Sequence, residues 1–418
     1  MSKQTLPFHY AWVILGVSFA AMVAGQGLRI AFGAFVPAWE HDFGVGRATL
    51  ATLSGLGFLL YGLGQPIAGR FADQLGARRV LTLGLILVGV GALITSFAPD
   101  LIWLFIAYIT ITSLGFAATS GVAPVSAVVR WFVAQRGVAL GLIATAFAVG
   151  QLVVTPISVL AIDAFGWRAT LAGIGVILIV ILAPLAWLFV RSTPAEMGLT
   201  ALGTGASSNH PAHKQSVMRG PPQVPARAFW YLALPYFVCG ITTSGLIDTH
   251  LVPLAHDHGI PSTVTATAVG SLAAFNIAGT LCSGWLSDRF PRRTLLGIIY
   301  AGRALTLLLL INLQSPELLM VFAVLFGIVD FSTVAPTQSL GTEYFGAARG
   351  AGTIVGILSL SHQIGSALGA TVTGILQQWT GSYDVPIFVA IGFLVIASLL
   401  SFALPGESKQ ASVVAPAK

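Results

Sequence analysis

The stretch "GRFADQLGARR" (Gly69–Arg79) places four charged side chains in a chain of which only 8% of residues are charged. A second stretch, "GWLSDRFPRR" (Gly284–Arg293), repeats the order of glycine, aspartate and paired arginines, and both stretches follow a long apolar run. Gly69 corresponds to Gly284 and Asp73 to Asp288. The sequence therefore indicates a unit that occurs twice.

The composition is that of an integral membrane protein. Of 418 residues, 56% are hydrophobic and 8% are charged, whereas about 25% of residues are charged in a soluble globular domain. The mean hydropathy is +0.88. A soluble chain of this length needs much more polar surface, because only part of it can be buried. The composition excludes a soluble protein.

Twelve apolar runs are long enough to cross a bilayer as helices. About 20 helical residues span the ~30 Å hydrocarbon core. The runs lack the alternation of apolar and polar residues that is typical of membrane β-strands, so we predict an all-α membrane protein. The predicted spans cover residues 11–36, 50–71, 80–98, 101–129, 137–162, 169–190, 229–254, 263–287, 294–312, 316–338, 350–378 and 384–404.

The distribution of Lys and Arg predicts the orientation. With both termini inside, most of the twenty basic residues are cytoplasmic, and only Arg47 and Arg168 lie in external loops. We therefore predict a multi-pass protein of the bacterial cytoplasmic (inner) membrane, and the net charge of +6 requires no nucleic-acid partner. The polarity of the chain further predicts four segments. They are an N-terminal six-helix bundle (1–191), a flexible cytoplasmic linker (192–227), a C-terminal six-helix bundle (228–405) and a cytoplasmic tail (406–418).

A second repeat supports the duplication. "RWFVAQRG" (130–137), after the fourth span, parallels "EYFGAARG" (343–350), after the tenth span, at nearly the same offset as the first pair. Two independent marks at nearly one offset indicate a duplicated half of six helices.

The pattern G-x-x-x-D-x-x-G-x-R-R at Gly69–Arg79 resembles the signature of the major facilitator superfamily. The resemblance covers essentially the whole chain and implies twelve transmembrane helices in two six-helix bundles. It also implies that Asp73 and Asp288 pair with arginines at neighbouring helix ends and form a cytoplasmic gate. By position, the candidate arginines of this gate are Arg78, Arg79, Arg130, Arg136, Arg292, Arg293 and Arg349.

Other phrases resemble a narrower group. "RWFVAQRGVALGL" after the fourth span and "GWRAT" before the sixth resemble bacterial relatives of the monocarboxylate transporters and the oxalate–formate antiporters. Monocarboxylate transporters usually carry an Asp and an Arg in the eighth span. Here that span contains Asn276 and Thr280 and no charge. The resemblance therefore does not carry lactate transport over to this chain.

Four charged residues lie well inside the predicted spans, where each costs a few kcal/mol unless it is paired or functional. We interpret Arg29 as a ligand for the carboxylate of an organic anion and Asp248, at similar depth, as a proton carrier. The alternative is an Arg29–Asp248 ion pair that closes the external mouth. Arg303 and Asp330 are expected to form a structural pair, with Asp330 as a second candidate proton carrier.

Uncharged polar residues complete the candidate site. Gln26, Asn276, His362 and Gln363 are candidate substrate contacts, although each could instead tie helices together. His250 is a candidate for proton coupling and is expected to face the external mouth. The stretch "HDH" at 256–258 is expected to be a solvated loop. Cys239 and Cys282 are expected to be buried apolar residues.

Together these features predict a proton-coupled transporter of a small organic anion, a monocarboxylate or aromatic acid, that works by alternating access. We expect no metal, no cofactor and no enzyme activity, because no phosphate-binding loop, metal-ligand cluster or nucleophile–base arrangement is found. The expected partners are the substrate, protons and the lipid bilayer, and a monomer suffices. The main alternative is an efflux antiporter for drugs or other toxic compounds. A receptor or structural membrane protein is a further alternative.

Overall fold

A computed structural model of the chain describes residues 9–133, 135–203, 227–287, 289–311, 313, 315–349 and 351–405. The side chains of residues 122, 136, 137, 346–349 and 351–353 are not described. The predicted gate residue Asp288, residues 204–226 of the predicted linker and the predicted tail 406–418 therefore lie outside the described residues. The same holds for the side chains of Arg136 and Arg349.

Eleven helices in the described part are long and apolar enough to cross a membrane. The longest contains Gly166 in a non-helical conformation (φ 79°) and so comprises two spans, which brings the number to twelve. In chain order they are α1 (Ala11–Ile30, continued by Phe32–Phe43), α2 (Arg47–Leu75), α3 (Ala77–Ser96), α4 (Leu101–Trp131), α5 (136–165), α6 (167–189), α7 (Arg227–Asp257), α8 (Ser262–Ser287), α9 (Arg292–Leu310), α10 (Pro316–Phe345), α11 (Ile354–Thr380) and α12 (Asp384–Phe402).

Each set of six helices buries an apolar core of its own. One cluster is formed by residues of α1–α6, and the other is formed by residues of α7–α12. Ala34 of α1 and Val159 of α5 pack into the second cluster and so connect the two halves. Many large apolar side chains point outward, as expected for helices surrounded by lipid.

The ends of the first two helices differ from the prediction. The first helix continues to Phe43, and the second begins at Arg47 instead of at residue 50. Arg47 was expected in an external loop, but its side chain is only 8% exposed. The prediction placed it wrongly because a charged residue at the first turn of a helix does not look like part of an apolar run.

The start of the predicted linker is not a free segment. Pro194–Met197 forms a 3₁₀ turn with a capping box between Thr193 and Glu196. The backbone N–H of Leu202 then donates to the carbonyl oxygen of Trp131 (2.9 Å), at the end of α4. Residues 192–203 are thus attached to the first half of the protein, which corrects the prediction of a flexible linker from residue 192 onward.

Candidate functional site

An ion-pair cluster joins the two halves at the end of the molecule that the sequence predicts to be external. Arg47, at the first turn of α2, donates to both carboxylate oxygens of Glu40 at 2.5 and 2.7 Å. It also donates to both oxygens of Asp257 at the end of α7, at 3.1 Å each. Its Nη1 donates to the Tyr383 hydroxyl at 2.6 Å. We call these four residues the outer cluster.

The outer cluster was missed by the sequence analysis. Its members are 7, 210 and 336 positions from Arg47, so no local spacing marks them. Asp257 was predicted to belong to a solvated loop. Instead, Asp257 binds the buried Arg47 through two hydrogen bonds, and this bidentate geometry is the strong form of a charge-assisted hydrogen bond.

A second group of hydrogen bonds at the predicted external end joins residues of the first half only. Asp42 accepts from the Trp167 indole N–H at 2.8 Å and from Arg168 at 2.5 Å. The hydrogen bond from Trp167, followed by that from His41, lowers the pKa of Asp42 below its usual value. The carboxylate therefore stays ionised at neutral pH, and its pairing with Arg168 persists there.

At the predicted cytoplasmic end, two ion pairs each join helices of one half. Asp73 lies 3.6 Å from Arg130, one of its candidate partners, and Arg292 lies 2.7 Å from Glu343. Glu343 is the first residue of the repeated stretch 343–350, but it was not predicted as a gate residue. The remaining predicted arginines with described side chains do different things: Arg78 lies over the Trp187 ring, Arg293 donates to the Leu404 carbonyl and Arg79 is exposed.

Arg29 of α1 lies among aromatic rings. Its guanidinium carbon is 4.9 Å from the ring centroid of Tyr61 and 5.6 Å from that of Phe58. Nε donates to Gln26 Oε1 at 3.1 Å, and Gln26 is itself fixed by donating to the Phe116 carbonyl at 2.9 Å. The two terminal nitrogens of Arg29 make no hydrogen bond to any described residue. Gln26, which is fully buried, thus orients Arg29.

A small cavity of about 20 Å³ adjoins Arg29. Its lining includes Phe32, Ser54, Phe58 and Tyr108 beside the guanidinium. This volume is enough for about one water molecule. An organic acid can enter only when the surrounding helices move apart.

Asp248 of α7 lies at the contact between the halves. It ends a π-helical stretch, Ile241–Asp248, a feature that is frequent at functional sites. Its Oδ1 accepts from Gln151 Nε2 of α5 at 3.2 Å, and its Oδ2 is buried without a hydrogen-bond partner. Asp248 forms no ion pair with Arg29 within 4 Å. The predicted alternative of a closing ion pair is therefore not formed in this conformation.

Arg303 and Asp330 are fully buried and lie in contact, with 3.8 Å between Nη2 and Oδ1. Arg303 also donates to Thr242 and Thr243 of α7 and to the Asp330 backbone carbonyl. Asp330 accepts from Thr243 at 2.6 Å and from Asn276 Nδ2 at 3.3 Å. A buried pair with this many hydrogen bonds is what a structural role requires.

The buried network around Arg303 and Asp330 also includes two residues for which the sequence predicted other roles. Asn276, a candidate substrate contact, is fully buried, and its Oδ1 accepts from the Phe331 backbone N–H at 3.1 Å. Cys239 is buried as predicted, but its sulfur lies 3.2 Å from Arg303 Nη1. Cys282 is exposed, which corrects its prediction as buried.

We expect the replacement of Arg303 by Met to destabilise the protein strongly. The change leaves the Asp330 carboxylate buried without its cation, which typically costs about 3–5 kcal/mol. The double variant Arg303→Met/Asp330→Asn removes both charges and should recover most of the loss. The measurement is the apparent melting temperature of detergent-purified protein. A single variant as stable as the unsubstituted protein would contradict a structural role.

The other predicted polar residues fall into two groups. His250 was expected to face the external mouth, but it is 1% exposed, and its ring nitrogens lie 3.2 Å from Tyr383 Oη and 3.0 Å from the Ala370 carbonyl. His362 and Gln363 of α11 are half-buried. The His362 ring lies 5.0 Å from that of Tyr236, and the Oε1 of Gln363 is buried without a partner.

Comparisons of the sequence give one consistent result. The family model of the Major Facilitator Superfamily matches residues 17–252 and 236–418. An uncharacterized MFS-type transporter, YcxA of Bacillus subtilis (strain 168), is 25% identical over 405 residues, with 96% of each chain covered. Monocarboxylate transporter 13 of Rattus norvegicus is 25% identical over 410 residues, covering 95% of this chain and 89% of the relative.

Solved structures confirm the predicted fold. The D-xylose-proton symporter superimposes with a TM-score of 0.76 at 16% sequence identity, covering 96% of this chain and 99% of the other. A bacterial homolog of the human lysosomal transporter Spinster superimposes with a TM-score of 0.74 at 17% identity, covering 94% and 97%. At these identities the likeness concerns the fold alone.

Proposed function

Because the chain belongs to the major facilitator superfamily, we propose that it is a secondary active transporter of small organic anions. The proposed substrates are monocarboxylates or aromatic acids, moved with protons across the bacterial inner membrane by alternating access. The relatives named monocarboxylate transporters support this class of substrate. The proposed orientation has both termini in the cytoplasm, as the distribution of basic residues predicts.

The observation that carries the proposal is the state of Arg29. Its Nε is used by Gln26, whereas both terminal nitrogens remain without a hydrogen bond to a described residue. These two nitrogens form the fork that binds a carboxylate through two parallel hydrogen bonds. The rings of Tyr61 and Phe58 surround this fork with apolar surface that suits the hydrocarbon part of an acid.

Proton coupling is assigned to Asp248. The carboxyl has one oxygen bound to Gln151 and the other without a partner, so it can hold a proton without breaking an ion pair. Asp330, the second candidate, is held by Arg303, Thr243 and Asn276. Protonation of Asp330 would disrupt a buried network, which favours Asp248 as the carrier.

Alternating access is supported by an asymmetry between the two ends. At the predicted external end, Arg47 links the halves through Asp257 and Tyr383. At the predicted cytoplasmic end, the Asp73–Arg130 and Arg292–Glu343 pairs of the described residues each join helices of one half. Such an arrangement corresponds to a state closed outside, and a reversible ion-pair cluster allows the opposite state.

The test is transport by purified protein in proteoliposomes. Labelled pyruvate, lactate and benzoate are exchanged against a panel of unlabelled acids, first at equal pH and then with an acidic exterior. We expect exchange of at least one acid and faster net uptake with the acidic exterior. Asp248→Asn should keep exchange and lose the stimulation, whereas the control Asp384→Asn should keep both. Absence of exchange with every acid contradicts the proposed substrate class.

A further inference from the structure

One face of α5 carries buried oxygens that have no partner. Gln151, Thr155 and Ser158 are spaced i, i+4 and i+7 and therefore share a face of the helix. They are 2%, 4% and 0% exposed, and Gln151 Oε1, Thr155 Oγ1 and Ser158 Oγ each lack a hydrogen bond. Buried hydroxyls in helices normally bond back to the preceding turn, as Thr170 does to Gly166.

The packing of α5 shows where this face lies. On one side, a Cβ built on Gly150 would lie 2.8 Å from the Val23 carbonyl oxygen of α1. On the other side, Pro156 lies against Gly270 of α8. The polar face is between these two contacts. There Gln151 reaches Asp248 of α7 (3.2 Å), whose Oδ2 is also without a partner.

A cavity of about 690 Å³ opens between the two halves at the predicted external end. It is lined by residues of four helices, among them Ala34 of α1, Val159 and Asp163 of α5, Val252 of α7 and Thr265 of α8. Ile162, which also lines the cavity, lies one helical turn beyond Ser158 on the same face of α5. The cavity therefore adjoins the outer end of the polar face, and Asp248 contacts its inner end.

We propose that the polar face of α5 is a water-filled path that carries protons between the external cavity and Asp248. This inference rests on the proposed proton coupling. The seven helical rises between Gln151 and Ser158 cover about 10 Å along the helix, a length that a short chain of waters fills. Hydroxyl groups both donate and accept hydrogen bonds, as such a chain requires. A single bound cation would need all its ligand oxygens within about 2.5 Å of itself, and the polar face of α5 is too long for that.

The path would load Asp248 while the outer cluster keeps the halves closed. The substrate and the proton would then reach the site by different routes. The charged and titratable groups that act on Asp248 are Arg29 on α1, Asp330 on α10 and Cys239 on α7 itself. His250, on the same helix, is engaged by Tyr383 and Ala370 and faces away from the path.

The test compares two modes of transport in proteoliposomes. In the double variant Thr155→Val/Ser158→Ala, proton-driven uptake should be slowed about tenfold or more, because two members of the hydrogen-bonded chain are lost. Exchange at equal pH needs no net proton movement and should stay within about twofold. The control is Thr145→Val, also on α5, whose hydroxyl bonds to the Leu142 carbonyl (2.8 Å). It should change neither rate. Undiminished proton-driven uptake in the double variant overturns the proposal, and so does uptake driven by a sodium gradient alone.

A second measurement separates this proposal from the proposed function. The measurement uses two variants, Ser158→Cys and Thr155→Cys, each combined with Cys282→Ala. Each variant is treated with external Ag⁺, and the thiols that have not reacted are counted after denaturation. Both cysteines should react, whereas Ala146→Cys, fully buried on another face of α5, should not. Reaction at both sites supports a hydrated path even if no organic acid is exchanged. Unreactive thiols overturn the path even if proton-coupled transport is found.

Discussion

Replacing Arg47 by Gln is expected to open the predicted external end of the protein. The change removes the cation that holds Asp257 and Tyr383 of the second half against α2 and leaves the Glu40 and Asp257 carboxylates facing each other. Truncation of one partner of a buried, hydrogen-bonded charge pair typically costs about 2–5 kcal/mol. Because the contacts of Arg47 with Asp257 and Tyr383 exist only while the halves are closed, their loss shifts the population toward the open state by at least about tenfold.

The measurement uses a cysteine below the outer cluster. Ser54 of α2 is buried and lies 3.4 Å from Thr249 of α7 across the contact between the halves. In Ser54→Cys protein with Cys282→Ala, labelling by an impermeant thiol reagent added outside right-side-out vesicles should accelerate at least about tenfold with Arg47→Gln.

The matched control for this experiment is Arg168→Gln. Arg168 is also an arginine at the predicted external end with a carboxylate partner, but that partner, Asp42, belongs to the same half. Its loss should leave the labelling rate unchanged. Equal labelling in the Arg47 and Arg168 variants would show that the outer cluster does not hold the halves together. If Arg47→Gln instead accelerates labelling from the opposite side of the membrane, the predicted orientation is wrong.

The fold could be predicted because it depends on features that are local in the sequence. Lengths of apolar runs fix the spans, and the repeated cluster at Gly69 and Gly284 marks the two halves. The Asp73–Arg130 pair could also be predicted, because both residues occupy helix ends that a known motif brings together. Arg303 and Asp330 were likewise expected to form a pair, and they lie in contact.

The candidate site was predicted less well, because depth in the membrane does not specify the direction of a side chain. Arg29 and Asp248 are at similar depth, yet Arg29 is held by Gln26 and Asp248 by Gln151. Asn276 lies at the predicted position but points into the network of Asp330. These outcomes depend on how helices far apart in the sequence are rotated against each other. The outer cluster depends on the same kind of contact.

Replacing Arg29 by Gln is expected to reduce exchange of the transported acid by about 100-fold, because a bidentate charge-assisted contact worth about 3 kcal/mol is lost. Glutamine keeps much of the length and polarity of the side chain but has no positive charge. Arg29→Lys keeps the charge without the planar fork and should fall between the two. The measurement is the initial rate of exchange at equal pH, over a range of acid concentrations. Equal pH excludes an effect on the proton gradient.

The loss must be specific to the site to support the proposal. Arg168→Gln, which removes an arginine remote from Arg29, should keep the full exchange rate, and both variants should keep the apparent melting temperature. Stability is expected to change little in Arg29→Gln, because the terminal nitrogens of Arg29 make no hydrogen bond to a described residue and the new amide can donate to Gln26 Oε1 in place of Nε. If Arg29→Gln exchanges acids at nearly the full rate, the guanidinium does not bind the carboxylate. The half-buried His362 and Gln363 of α11 would then be the next residues to replace.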